Sequence, residues 1–329
     1  MGKKRNNINR RDFLWASAAG AGALYLSEES SAKPGSDSDA KAALLPRRVL
    51  GKTGQKLSIL GLGGMVLAGQ KQSDANKIVA MSIEKGVNYV DVSPEYGDSE
   101  IKLGPALEPF RKDVFLACKT ARRYSEGAEK ELHQSLKHLK TDYLDLYQFH
   151  NLDDPIDDVE VAFSKKGAVH AFVKAKEQGL IKHIGFSAHS TEVALGVMKQ
   201  FDFDTIMFPI NFCCHYTGKL SERVLAEANR RGMGILAIKS MIRERLPVLE
   251  STHEYYPKCE YEPIVDLPLA KDALSWTLSQ KGVTAAIPPG DENLYKMALK
   301  LGPDLQPITD EGTKKLKHLA ARLEPLFPM

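Results

Sequence analysis

With 329 residues the chain can form one large domain or two of ordinary size, and a 43% hydrophobic share supplies an ample core. A formal net charge of +3 with no basic block gives no nucleic-acid patch, so no nucleic-acid partner is expected. The cysteines, Cys118, Cys213, Cys214 and Cys259, form no C-x-x-C pair, which removes zinc-ribbon and iron–sulfur readings. No metal is expected, and the adjacent Cys213 and Cys214 read as small packing residues.

Residues 1–32 read as an address rather than as part of a fold. Lys3, Lys4 and Arg5 open a basic region, and Asn9-Arg10-Arg11-Asp12-Phe13-Leu14 follows. The weakly apolar stretch Trp15–Leu26 is rich in Ala and Gly and much shorter than the about 20 residues that span a bilayer, so no stable membrane span is expected. Ser30-Ser31-Ala32 supplies small residues for cleavage. The Arg-Arg-x-Phe-Leu pattern resembles a twin-arginine (Tat) signal, which implies the Tat export machinery as a partner and a periplasmic or otherwise exported protein. Residues 33–47 are rich in Pro, Gly, Ser, Asp, Ala and Lys and predict a flexible linker.

From Arg48 onward the pattern becomes regular. Arg48–Leu50, Gly51-Lys52-Thr53-Gly54 and Leu57–Leu60 predict a short hairpin that runs into a first strand, Ile59–Leu62. Ser73 is placed to cap a helix whose Ile78, Met81 and Ile83 share a face, and Gly86 stops it. Strands follow at Val87–Asp91, Val114–Lys119 and Tyr143–His150. Between and after them, helices are predicted over Ser125–Leu139, with Leu132, Leu136 and Leu139 on one face, and over Asp157–Gln178, ending at Gly179. Later strands are predicted at His183–Ser187, Thr205–Pro209, Gly234–Lys239 and Thr284–Pro288. Helices fit between them at Thr191–Gln200, Ser221–Arg231 and Leu267–Gln280, and beyond them at Asn293–Leu301 and Asp310–Leu323. Short apolar strands alternating with helices suit a parallel sheet buried on both faces. The pattern predicts an α/β fold, a (β/α)8 TIM barrel with a short N-terminal β-hairpin over residues 48–329. No G-x-G-x-x-G turn follows an early strand, which argues against a doubly wound dinucleotide fold.

Three successive strands end on or next to an ionisable residue, a poor local choice for an apolar strand. These are Asp91, Lys119 and His150, and Tyr96 follows the first of them by five positions. In a barrel such residues meet at the active-site mouth. Each alone has a plain structural reading: Asp91 as a strand-end cap, Lys119 at the rim, Tyr96 as a rim aromatic, His150 as a satisfied core histidine. Together they have the chemistry for moving a proton. Lys119 beside the hydroxyl would lower the tyrosine pKa from its ordinary value near 10. Asp91 would hold Lys119, His150 would donate a hydrogen bond to a carbonyl oxygen, and Tyr96 would act as general acid and base.

These motifs resemble the aldo-keto reductase family. The resemblance rests on Leu50-Gly51-Lys52-Thr53-Gly54, Gly61-Leu62-Gly63-Gly64-Met65, and Asp91-Val92-Ser93-Pro94-Glu95-Tyr96-Gly97 with Ser99-Glu100. It continues through Lys119-Thr120, the run Asp142–His150, and Ile184-Gly185-Phe186-Ser187. It implies a catalytic tetrad of Asp91, Tyr96, Lys119 and His150, with NAD(P)H-dependent reduction of a carbonyl or the reverse oxidation of an alcohol, a sugar derivative among the candidates. It also places the cofactor against Gly64, Met65, Asp91, Ser187, Asn211, Lys239, Ser240, Pro289 and Gly290.

The sequence departs from the family on the cofactor side. Where members usually have Asn after Ser187 the chain has Ala188, then His189, and a frequent Gln aligns with Met207. Beyond the last strand, where NADPH-dependent members often carry Lys-Ser and a later Arg, stand Asp291, Glu292 and Tyr295. An acidic pair there repels a 2′-phosphate and suits a ribose hydroxyl, which favours NAD over NADP. The segment Arg243–Val265 is a long loop expected to wall the substrate site; a metal site from its His253, Glu254 and Cys259 has no standard spacing. The competing expectation is a non-catalytic nucleotide-binding barrel acting as a sensor or partner-binding module.

Overall fold

A computed structural model describes residues 43–246 and 255–327. The chain enters through β1 (Arg47–Val49) and β2 (Lys56–Ser58), antiparallel partners joined by a turn. Leu45, inside the expected linker, is already buried, and its N–H donates to Lys85 O. The residues 1–42, which include the predicted signal, lie outside the described residues.

Eight parallel strands follow: β3 (Leu62–Gly63), β4 (Tyr89–Asp91), β5 (Phe115–Thr120), β6 (Leu144–Phe149), β7 (Ile181–Ser187), β8 (Thr205–Pro209), β9 (Gly234–Ile238) and, after two strands of a separate small sheet, β12 (Val283–Ala286). They neighbour one another in chain order. The sheet curls until a parallel bridge between Leu60 and Ala286 joins its two ends. Gly61 N donates to Ala286 O and Ala286 N donates to Ile59 O. The result is the expected (β/α)8 barrel.

Two apolar layers follow from strand alternation. Leu50 and Leu57 of the hairpin pack with Tyr89, Phe115, Leu146, Leu236 and Ala285 inside the barrel. Tyr89 and Phe115 open their strands, so the hairpin plugs the mouth at the strands' N-terminal ends. The second, larger layer lies between strands and helices and includes Val79, Leu103, Leu132, Phe172, Val197 and Leu274. With one mouth plugged, the other is left for chemistry.

Most elements fall where the sequence predicts, and Thr191–Gln200 and Thr205–Pro209 do so to the residue. The helix after β3 begins at Gln72 behind Lys71, so Ser73 lies in its first turn instead of capping it. A helix at Ser99–Leu107 was masked in the sequence by its Gly104 and Pro105; a Cβ on Gly104 would lie 2.1 Å from His138 O, so the glycine lets two helices approach. The long helix expected over residues 157–178 is broken. A π-helical turn, Pro155–Glu160, starts on the Asp154 side chain, and a separate helix spans Val169–Glu177. Between them the chain is drawn to the preceding βα loop: Ser125 N donates to Lys166 O and Ala168 N to Arg123 O. Gly167 permits the crossing, since a Cβ there would sit 2.2 Å from Ala162 O. A further short helix, Phe212–Gly218, starts on the side chain of Asn211. Among the described residues no helix is long and apolar enough to cross a membrane.

The long segment after β9 carries β10 (Ile242–Glu244) and β11 (Glu262–Pro263), which pair antiparallel. His253 and Glu254 lie outside the described residues, and among the described residues no group of three metal-ligating side chains occurs.

Candidate active site

A cavity of about 380 Å³ opens at the C-terminal ends of the strands. Asp91, Tyr96, Lys119 and His150 all line it. Asp91 ends β4, Lys119 is the penultimate residue of β5, and His150 follows β6 with its N–H on Thr120 O at 2.8 Å. Register does the gathering: adjacent parallel strands stop at one level, so residues far apart in sequence become neighbours.

Lys119 is fully buried, and its ammonium pairs with Asp91 Oδ1. It also donates to Tyr96 Oη at 3.2 Å and to Val92 O at 3.5 Å. Asp91 Oδ2 accepts from Gln148 Nε2 at 3.0 Å and from the Tyr89 hydroxyl at 3.5 Å. Gln148 was not singled out in the sequence; its signal is a polar side chain within an otherwise apolar strand, two places before His150. Burial alone would lower the Lys119 ammonium, yet Asp91 and Tyr96 hold it above its ordinary value. Burial pushes the Asp91 carboxyl upward against the pull of Lys119, Gln148 and Tyr89. A buried pair of this kind persists because the ammonium and both carboxylate oxygens each have hydrogen-bond partners.

The Tyr96 hydroxyl does not follow the expectation of a lowered pKa. Burial raises it, Lys119 pulls the other way, and Asp91 raises it again by offsetting the ammonium charge. Tyr96 is therefore a protonated phenol at neutral pH, fit to give a proton. Burial, then the charges of Lys119, His189, Arg123 and Lys239, push the His150 imidazole down to about 3. Its Nδ1 is hydrogen-bonded with Ser93 Oγ at 3.1 Å, Glu95 Oε2 stands 2.7 Å from the same nitrogen, and the ring meets Tyr96 edge-on at 5.6 Å.

Arg123 fixes the chain that carries His150. Its Nη2 donates to His150 O at 2.8 Å and Asn151 O at 3.0 Å, and its Nε pairs with Asp158 at 2.7 Å. Asn151 sits at φ 59°, and its N–H donates to Ser187 Oγ at 2.8 Å. Arg123→Leu is expected to cost about 1–3 kcal/mol, read as a lower denaturant midpoint, because two carbonyls and a carboxylate lose their donor. An unchanged midpoint would remove Arg123 from this role.

The cofactor-side residues divide. Met65, Asp91, Ser187, Lys239, Pro289 and Gly290 line the cavity. Gly64, Asn211 and Ser240 lie outside its lining. Gly64 packs on Val92, where a Cβ would come within 2.6 Å of Cγ2. Asn211 is committed to the backbone: Nδ2 donates to Lys239 O and Ile242 O, and Oδ1 accepts from Cys214 N. Ser240 is buried with its Oγ unpartnered. Asn211 thereby holds Lys239 at φ 65°, and the ammonium reaches over the Tyr261 ring at 4.8 Å. Lys258, Glu260 and Tyr261 of the β10–β11 segment wall the cavity, and Lys258 is anchored on Val66 O at 3.0 Å. Lys258 and Glu260 fall in the segment Arg243–Val265 expected to wall the site and Glu95 in the motif Asp91–Gly97, although none was selected individually; Asn151, next to His150, was not selected.

Beyond β12, Asp291 caps the helix Glu292–Leu301, accepting from Asn293 N and Leu294 N. Tyr295 is fully buried and donates to Ser82 Oγ at 2.7 Å. All four cysteines are free and buried, and burial pushes the Cys213 thiol up to about 12, in keeping with packing.

The model of the Aldo/keto reductase family matches residues 59–247. The chain is 32% identical over 177 residues to the uncharacterized oxidoreductase YqkF of Bacillus subtilis, covering 49% of this chain and 55% of that protein. It is 30% identical over 185 residues to L-galactose dehydrogenase of Arabidopsis thaliana, covering 51% and 56%. The chain thus spans about half the length of these relatives. In fold it is similar to the aldo-keto reductase AKR11C1 from Bacillus halodurans, with a TM-score of 0.65 at 22% identity over 84% of this chain and 96% of that one. Over half of its residues fit the family model, and on that ground the chain belongs to the aldo/keto reductase family.

Proposed function

We propose that the protein is an exported, NAD(P)(H)-dependent oxidoreductase that moves hydride to or from the carbonyl carbon of a small substrate, with Tyr96 as general acid and base. The observation that carries this reading is the Lys119 ammonium 3.2 Å from the Tyr96 hydroxyl, inside a cavity that His150 also borders. In reduction Tyr96 Oη gives its proton to the substrate oxygen, and Lys119 stabilises the phenolate left behind. Asp91 and Gln148 keep Lys119 in place. In oxidation the same groups run in reverse.

A nicotinamide dinucleotide, when bound, supplies or accepts the hydride. The residues present fit such a group. Gly290 offers bare backbone to the cavity, and a Cβ there would collide with Met65 at 2.5 Å. Met65, Ser187, Lys239, Pro289 and Gly290, which line the cavity, are the residues that would hold it. NAD is favoured over NADP, because Asp291 already occupies the helix N-terminus that would take a 2′-phosphate, Glu292 adds a second carboxylate, and Tyr295 is locked in the core. NADH is expected to bind at least about tenfold more tightly than NADPH. Fluorescence titration checks this, and equal or tighter NADPH binding would reject it.

A sugar derivative is the favoured substrate class. The cavity mixes carboxylate, amide and imidazole groups (Glu95, Glu260, Asn151, His189) with apolar Met207 and Ile287, as a polyhydroxylated ligand requires. One relative is named L-galactose dehydrogenase. The Arg10-Arg11 motif supports Tat export, which carries folded protein and allows the cofactor to be loaded beforehand and kept. Purification from the exported fraction, identification of bound dinucleotide, and hydride-transfer assays on carbonyls and sugars test the whole reading. Bound dinucleotide with turnover supports it; empty protein rejects retention, and absence of turnover on the panel favours the second reading. That reading, a nucleotide-binding sensor or partner-binding module, draws on Ala188, buried where family members usually carry the Asn that helps hold the nicotinamide, and on Asn211, whose side chain is spent on the backbone.

A further inference from the structure

His189 stands two residues beyond the end of β7 and lines the same cavity as the tetrad. One carboxylate holds it twice. Asp153 Oδ1 accepts from His189 N at 2.6 Å, and Asp153 Oδ2 is hydrogen-bonded with the ring at Nδ1, 3.0 Å away. Burial would raise the Asp153 carboxyl, but the hydrogen bonds and charge of His189 hold it below its ordinary value. It is therefore ionised at neutral pH and can only accept, which puts a proton on Nδ1. In the neutral ring Nε2 is then left with a lone pair. Among the described residues nothing bonds to Nε2, and the side chain is 25% exposed.

The ring is fixed on its other sides as well. Phe327 stacks on one face, with ring centroids 4.9 Å apart and 13° between the planes. Asp153 N donates to Asp158 Oδ2 at 3.0 Å, and Asp158 pairs with Arg123, the residue that holds the carbonyls of His150 and Asn151. Asn151 N and Leu152 N donate to Oγ and O of Ser187, both at 2.8 Å. One brace thus carries His150 and His189 on the same mouth. With Nδ1 taken by Asp153 and one face by Phe327, the polar atom His189 has left for the cavity is Nε2.

We infer that His189 Nε2 is a second anchor for the substrate, an acceptor for a hydroxyl other than the oxygen that meets Tyr96. The class this selects is a hydroxylated carbonyl or a polyol, against a simple aldehyde or alcohol of the same length. The inference rests on the hydride-transfer reading of the site and narrows its substrate. A carboxylate on Nδ1–H strengthens the acceptor at Nε2. A ligand that offers a methyl group there displaces water and leaves the nitrogen unpaired, so selection comes from that penalty as well as from the bond. Two anchors, Tyr96 and His189, also fix which carbon of a chain of similar carbons faces the hydride. His189 is the specificity residue, and Asp153 is the positioning residue that orients it.

Long-range ¹H–¹⁵N correlation of the histidine rings in the full chain, at about pH 8 where a histidine is ordinarily neutral, reads the tautomer, with His189→Phe to assign the signals. The expected parent state is Nδ1–H with Nε2 bare. Asp153→Asn should move the proton to Nε2, because its oxygen stays on His189 N and its amide then donates to Nδ1. Glycerol, added with NAD present, is expected to move the Nε2 resonance. Propan-1-ol, whose single hydroxyl is taken by Tyr96, should leave it in place. In His189→Phe the ratio of kcat/KM for glyceraldehyde over propanal is expected to fall about tenfold, carried by the KM of glyceraldehyde. A parent ring with Nε2–H or with both protons, no shift with glycerol, or an unchanged ratio would overturn the inference. The ring spectrum needs no turnover. A chain that shows the glycerol shift and moves no hydride would defeat the functional reading alone, and turnover without the shift would defeat the second anchor alone.

Discussion

Tyr96→Phe is expected to lower hydride-transfer turnover by about 10²–10⁴-fold, with little change in fold or dinucleotide affinity. The ring is retained, so its edge-on contact with His150 and the packing of the loop survive. What is lost is the one hydroxyl held at 3.2 Å by a buried ammonium. The pH dependence has a definite sign. In reduction the acid works while protonated, and burial holds Tyr96 above its ordinary value near 10, so turnover should be level through neutral pH and fall only above about pH 10. Steady-state rates of parent and variant across pH check both parts. Equal turnover in Tyr96→Phe would remove the residue from the chemistry, and a parent rate falling already near neutral pH would mean another group is the acid.

The gathering of Asp91, Lys119 and His150 was legible because each interrupts an apolar strand with a group that burial penalises, and a parallel barrel brings strand ends to one rim. The direction of the Tyr96 shift was not legible. It depends on the depth of burial and on Asp91 offsetting the Lys119 charge, and neither can be read from spacing. The break in the helix after β6 was hidden for a similar reason. Residues 157–178 carry helical periodicity, but the hydrogen bonds from Ser125 N and Ala168 N that draw the chain aside come from, or reach to, a loop some 40 residues earlier. Asn211 illustrates the reverse case. Its position matched a binding residue, while its burial and three backbone contacts make it the support that aims Lys239.

Lys119→Met is expected to be the most damaging single change, costing about 3–5 kcal/mol at neutral pH and removing activity as well. Lys119 is fully exchanged out of water, and its loss leaves the Asp91 carboxylate buried with only Gln148 and Tyr89 as donors. Burial already pushes the Asp91 carboxyl upward, and without the ammonium nothing of opposite charge pulls it back. A carboxyl raised in the folded state is tolerated while protonated, and its folding free energy is lost as pH rises through the raised value. The variant should therefore be nearer to the parent in stability at mildly acidic pH and fall behind as pH rises. Denaturant unfolding of both proteins at two pH values measures this. Replacing both partners, Asp91→Leu with Lys119→Met, removes the stranded charge and should recover much of the stability while leaving turnover absent. That separation assigns the ion pair to chemistry and not to the fold. A single variant as stable as the parent at alkaline pH, or a double variant no more stable than the single one, would show that the pair is not held as the structure describes.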